Sequence, residues 1–253
     1  MGVHRSLITA MALMLVLAPG ARAAQPTTPE WFPTQLAHIG NSNQVIVVTA
    51  AKWSATEGTL RAFERSVTGK WIQVLDATHA QLGYGGLVKA AERRQGTGKT
   101  PTGTFPIETA FGRLPDPGTA LPYTKFDRND AWTYNPKQPA TYNLFQDAAV
   151  GWGGYGNYIE RLWQYGEQYN YVAVLDFNLP KGEVTVGPNG IRRTSPPADT
   201  RRGGGIFLHV SNGDKTAGCI AIAQERMTQI MKWLDPEQRP VMVIGTLATI
   251  DQM

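Results

Sequence analysis

The chain predicts one mainly β domain with an aromatic-rich insertion and a helix near its C-terminus. Three observations lead there. Short apolar runs bounded by Gly, Pro and Asn turn signals recur from residue 44 onward. Eight of the nine Tyr and three of the seven Trp fall within 120–171, a stretch different in kind from what flanks it. Only 224–234 has clear helical periodicity, with Met227, Ile230, Met231 and Leu234 at i, i+3, i+4 and i+7.

The elements follow in order. Gln44–Ala50 (QVIVVTA) reads as a buried strand, and 59–67 as a second that ends at the turn Thr68-Gly69. Residues 70–75 and 87–91 continue the rhythm; 96–103 is a Gly/Pro-rich loop, and 104–107 a short strand. In the insertion, Gly151–Gly156 is a glycine knot and 157–165 predicts a short helix. Strand character returns at 171–177 and 206–210. Asp235-Pro236 stops the late helix, and 241–245 closes the domain. The expected boundaries are a domain over 44–246, with the insertion at about 120–171, a lead-in over 24–43 and a tail over 247–253.

Residues 1–23 predict a secretory signal peptide: His4 and Arg5, an apolar run from Leu7 to Pro19, then Ala21-Arg22-Ala23 as the cleavage site. The run is too short for a membrane span, which needs about 20 apolar residues. The expected product is exported and does not span a membrane, placing it in the periplasm, cell envelope or extracellular space. No Cys near the cleavage site suggests a lipid anchor.

Composition excludes several classes. Removing Arg5 and Arg22 with the signal leaves 22 basic against 20 acidic residues, a charge of +2, too small to argue for nucleic acid. His38, His79 and His209 remain with one Cys, none at ligand spacing, so neither a metal nor a cofactor is expected. Gly96-Thr97-Gly98-Lys99-Thr100 imitates a phosphate loop, but Arg93 stands where that motif needs Gly and Pro101 follows at once. There is no G-x-S-x-G and no S-x-x-K, so serine-enzyme signatures are missing.

The lone Cys219 carries more information. An exported chain ordinarily uses Cys in pairs, so a single thiol is either an inert core residue or one kept for chemistry. In IFLHVSNGDKTAGCIAI, residues 206–222, an apolar strand delivers His209, a polar turn reverses the chain, and Gly218-Cys219 leads into another apolar stretch. Imidazole and thiol on neighbouring strands could act as base and nucleophile. The backbone N–H groups of Gly218 and Cys219 are the candidate oxyanion donors. A hairpin holding a buried His and a buried Cys fits the spacing equally well.

Thr216-Ala217-Gly218-Cys219-Ile220 after a strand His resembles the signature of the L,D-transpeptidase (YkuD-like) catalytic domain. The segment Gly98-Lys99-Thr100-Pro101-Thr102-Gly103-Thr104-Phe105 resembles that family's G-K-T-P-x-G-x-F element, in the right order and over roughly 44–246. The resemblance implies a β-sandwich-like fold and cysteine-dependent acyl transfer on peptidoglycan stem peptides. Cys219 would attack the third-residue carbonyl of a tetrapeptide stem, His209 would be the base, and the carbonyl of Val210 would orient it. A hydrolase using the same residues, and a catalytically silent wall-binding β-sandwich, remain the alternatives. The chain departs from the family at Ala217, where His is common, and at Ala221, near which Arg or Asn is common. Thr216 beside the Gly-Cys pair is a candidate substrate contact, as are Trp152 and Tyr155, whose flanking glycines suggest a lid.

Overall fold

The computed structural model describes residues 1–2 and 32–253. All but the first two residues of the predicted signal segment, and residues 24–31 of the lead-in, lie outside the described residues. Six strands come first: β1 (Gln44–Ala50), β2 (Glu57–Arg65), β3 (Trp71–Gln81), β4 (Leu87–Lys89), β5 (Thr100–Gly112) and β6 (Tyr123–Lys125). The insertion contributes β7 (Ala131–Thr133), β8 (Leu144–Gln146) and β9 (Ile159–Arg161). Then come β10 (Val172–Leu175), β11 (Glu183–Val186), β12 (Arg192–Ser195), β13 (Phe207–Val210), β14 (Ile220–Ile222), the helix α1 (Gln224–Trp233) and β15 (Val241–Thr246).

The main sheet runs β10-β13-β14-β3-β2-β1-β15-β5, and β10 pairs back onto β5, so eight strands close into a mixed barrel or sandwich. Closure removes the exposed edges of the principal sheet. The long β5 makes it possible: residues 103–106 pair with β15, while Ile107 and Thr109–Phe111 pair with β10. β1 is buried along its whole length between β15 and β2, as its unbroken apolar run requires. Ile46 and Val48 face the main core, where Met227, Ile230 and Met231 of α1 also pack. Val45 and Val47 face a second core with Phe63, Trp71 and Val243.

Three expectations are corrected. The strand expected at 104–107 begins at Thr100, so the loop across 96–103 is shorter than predicted; Pro101 is tolerated at the second residue, opposite the three-residue β4. The helix expected at 157–165 is instead β9 followed by a 3-10 segment, Leu162–Tyr169, broken at Gly166 with φ +56°. The hairpin that the spacing allowed around His209 and Cys219 is excluded, because β13 and β14 are parallel. The link between them doubles back beside residues 82–84, where Thr216 N–H donates to the Leu82 carbonyl and Tyr84 N–H to the Thr216 carbonyl.

The aromatic insertion mostly builds core. Phe207 meets Trp132 and Phe111 edge-to-face at 4.9 and 5.3 Å between ring centroids, an arrangement favoured by the ring quadrupoles. No helix among the described residues is long and apolar enough to cross a membrane.

Candidate active site

Parallel pairing sets His209 opposite Ala221. Side chains alternate along a strand, so Cys219, two residues before Ala221, projects to the same face of the sheet as His209. Both are buried, at 5% exposed for His209 and 7% for Cys219. His209 Nδ1 lies 2.9 Å from the Val210 carbonyl, and Tyr169 covers the imidazole edge-to-face at 5.4 Å. The Cys219 thiol donates to the Gly205 carbonyl at 3.2 Å, and among the described residues no hydrogen bond joins it to His209.

The two groups are neutral at rest. Burial pushes the Cys219 thiol up to about 12, and Glu160 adds to the shift; the Phe207 backbone and the Arg93 guanidinium pull the other way. Burial lowers His209 to about 4, against the backbone groups of Val210 and Gln168, which favour the cation. Both shifts have the sign expected when a charged form is deprived of water.

Cys219 opens onto a cavity of about 620 Å³ walled by Tyr84, Arg93, Tyr134, Glu160 and Gly203–Gly205. The sequence-predicted candidates distribute unevenly around it. Ala217 and Cys219 line it; His209 does not. Thr216 holds the turn: its hydroxyl donates to the Cys219 carbonyl at 2.7 Å and accepts from Gly218 N–H at 3.1 Å. The structure does not bring Trp152 or Tyr155 to the cavity. Both are buried in a separate small cluster with Ala131 and Ala148, and Trp152 Nε1 donates to the Asn129 carbonyl at 2.9 Å. The insertion's contribution to the wall comes from Tyr134, Pro136, Asn157, Tyr158 and Glu160 instead.

Glu160 and Arg93 are the groups that sequence reasoning missed. Glu160 is one carboxylate in an insertion noticed for its aromatics, and nothing in its neighbours marks it. Tyr169 Oη donates to Glu160 Oε2 at 2.6 Å, tying the carboxyl to the residue that covers His209. Burial raises Glu160 to about 7, although the Tyr169 hydrogen bond favours its anion. The fold thus binds this proton more tightly than the unfolded chain does. The stability it contributes is full below about pH 4.5 and is lost as pH rises through 7. Glu160→Gln is therefore expected to stabilise the protein at pH 8 by about 1–3 kcal/mol and to change little at pH 4. Urea unfolding at both pH values checks this; an equal effect at both would show that the carboxyl does not titrate there.

These groups provide a buried thiol, an imidazole on the same sheet face, and a cavity lined by two cations, the buried Arg93 and the exposed Arg201 paired with Asp199, and by one carboxyl, Glu160. The family model described as YkuD, L,D-transpeptidase catalytic domain, matches residues 42–243. No curated protein matches the chain.

Proposed function

Because the chain belongs to the L,D-transpeptidase catalytic domain family, we propose that it transfers acyl groups between peptidoglycan stem peptides, with Cys219 as nucleophile and His209 as base. The family implies peptidoglycan cross-linking by a cysteine enzyme acting outside the cytoplasm. The observation that carries the finer reading is the position of the only cysteine, at the wall of the cavity and on the sheet face it shares with His209. We take the catalytic domain as 44–246, and residues 1–23 as the signal that exports it.

In the first half-reaction His209 takes the thiol proton as Sγ attacks the carbonyl carbon of the donor's third residue. The carbonyl π electrons pass to oxygen, and the Cys219 N–H meets the developing charge. Gly218 N–H is held by Thr216 Oγ1 at rest and must exchange partners to join it. As the intermediate collapses, the C–N bond breaks and His209 returns the proton to the departing amine, leaving a thioester on Cys219. In the second half an acceptor amine attacks the thioester carbon and gives a proton to His209; the C–S bond then breaks, Sγ takes that proton back, and the new amide is released. The Val210 carbonyl, 2.9 Å from Nδ1, steadies the ring and leaves Nε2 as the proton acceptor.

Intact-mass spectrometry after incubation with a carbapenem, followed by peptide mapping, tests the reading. One adduct on Cys219 is expected. A folded protein that gains none would overturn the enzyme and favour a wall-binding β-sandwich. A muropeptide assay then separates cross-linked product from hydrolysed donor.

A further inference from the structure

Arg93 is a buried cation that has no counter-ion among the described residues. It is 4% exposed, yet the ion pairs among the described residues are Lys181–Asp176, Arg192–Asp147 and Arg201–Asp199. Its hydrogen bonds go to neutral carbonyls: Nε donates to Lys99 O at 2.9 Å and Nη1 to Arg202 O at 2.6 Å. The groups that act on its charge are Cys219, Tyr142, Arg202 and Tyr84, and no carboxylate is among them. Two glycines make room for it. A Cβ on Gly203 would stand 2.0 Å from Nη1, and one on Gly218 would stand 3.0 Å from Nη2. Both glycines also have left-handed backbone, φ +84° and +134°, so side chains are doubly disfavoured there. The third corner of the guanidinium, Nη2, makes no hydrogen bond among the described residues and comes up beside Gly218, which precedes Cys219, in the wall of the same cavity.

The Phe177 ring, 5.4 Å from the guanidinium carbon, adds a face for the cation. Holding it out of water on two carbonyls and that ring is still costly, and an anion in the cavity would offset the cost. The sequence after Cys219 offers no cation of its own, since Ile220, Ala221 and Ile222 are all buried and apolar. In a peptide cleaved at Cys219, the carboxylate of a one-residue leaving group lies only about 3–4 Å from the scissile carbonyl carbon. We propose that Arg93 binds the α-carboxylate of the residue expelled when Cys219 is acylated, and is the group that makes the protein prefer a donor with a free carboxylate at that position. This rests on Cys219 being the nucleophile.

Two measurements on the full mature chain test it, with Arg93→Gln, Arg93→Lys and Cys219→Ala beside the wild type. The first uses no peptidoglycan: the rate of Cys219 alkylation by iodoacetate divided by that by iodoacetamide. A cation at the thiol raises this ratio, so Arg93→Gln is expected to lower it about tenfold while Arg93→Lys keeps most of it. An unchanged ratio in Arg93→Gln, or a ratio in Arg93→Lys that departs from the wild type by the full tenfold, overturns the cation's placement. The second compares stem tetrapeptides ending in a free carboxylate with the same peptides ending in a carboxamide. The wild type is expected to prefer the carboxylate about 100-fold, and Arg93→Gln to lose that preference. Equal use of both donors by the wild type overturns the proposal and leaves the acyl-transfer reading standing. Failure to use either donor sinks the acyl-transfer reading itself, and the leaving-group assignment with it.

Discussion

Cys219→Ala is expected to abolish both adduct formation and acyl transfer, and His209→Ala to slow acylation by about 10²–10⁴-fold. The expectation follows from the resting charges. With the thiol pushed up to about 12 and the imidazole lowered to about 4, the pair is neutral across the physiological range. Only about one thiol in 10⁵ is then ionised at pH 7, against a few per cent for an ordinary cysteine. Reactivity therefore depends on proton removal during attack, for which His209, on that face of the sheet, is the proposed base. The Sγ–H bond to the Gly205 carbonyl must break first, so an incoming substrate that displaces it activates the thiol. Two pH profiles should differ as a result. Simple alkylation of Cys219 is expected to rise about tenfold per pH unit to pH 9 without a plateau, because it follows the thiolate. Acylation by donor should fall as His209 protonates near 4, with a smaller step near 7 as Glu160, which acts on the thiol, changes charge. A plateau in alkylation below pH 8 would mean that the resting pair is an ion pair and would overturn this account. The same imidazole sets an acid limit on stability. The folded state resists its protonation, so stability is lost as pH falls from about 6.5 through 4, on the order of 3 kcal/mol in total.

The sequence made the strands of the closed sheet easier to read than the walls of the cavity. Gln44–Ala50 and Val241–Gly245 are continuous apolar runs because both of their faces are covered, and such runs can be recognised without knowing their neighbours. The helix was equally legible, since its stripe Met227, Ile230, Met231 repeats at the helical period. Sequence could not tell that β13 and β14 are parallel, because a polar nine-residue link suits a hairpin as well as a doubled-back connection. Cys219 and His209 stood out as rare residue types in a suggestive order. Arg93 and Glu160 did not, because their meaning lies in burial and in missing or unusual partners, which no local pattern encodes. Trp152 and Tyr155 were named for their glycine surroundings, but aromatic area is as useful in a satellite core as in a lid, and here they form one.

The largest stability effect is expected away from the thiol, at Asn143. Its side chain is fully buried and makes every hydrogen bond an amide can make. Oδ1 accepts from Trp132 Nε1 and from Gly205 N–H, both at 2.8 Å. Nδ2 donates to the carbonyls of Asn178 at 2.7 Å and Phe177 at 3.2 Å. One residue thus clamps the insertion, the segment after β10 and the loop whose Gly205 carbonyl receives the Cys219 thiol. Its φ of +60° is one that Asn tolerates better than most side chains. Asn143→Ala strands two N–H donors and two carbonyls in a space too tight for bulk solvent. We expect a loss of about 3–5 kcal/mol, or roughly 10 °C in Tm for a chain of this size. Asn143→Gly relieves the backbone while losing the same four bonds, so it should recover only a fraction of that loss. Asn143→Asp keeps both acceptor roles but turns a charged oxygen toward two carbonyls, and should be nearly as destabilising as Ala. Urea unfolding of the three variants decides the matter. A cost below about 1 kcal/mol for Asn143→Ala would mean that the loops relax and solvate their own groups, and Gly205 would then be held by its neighbours rather than by Asn143.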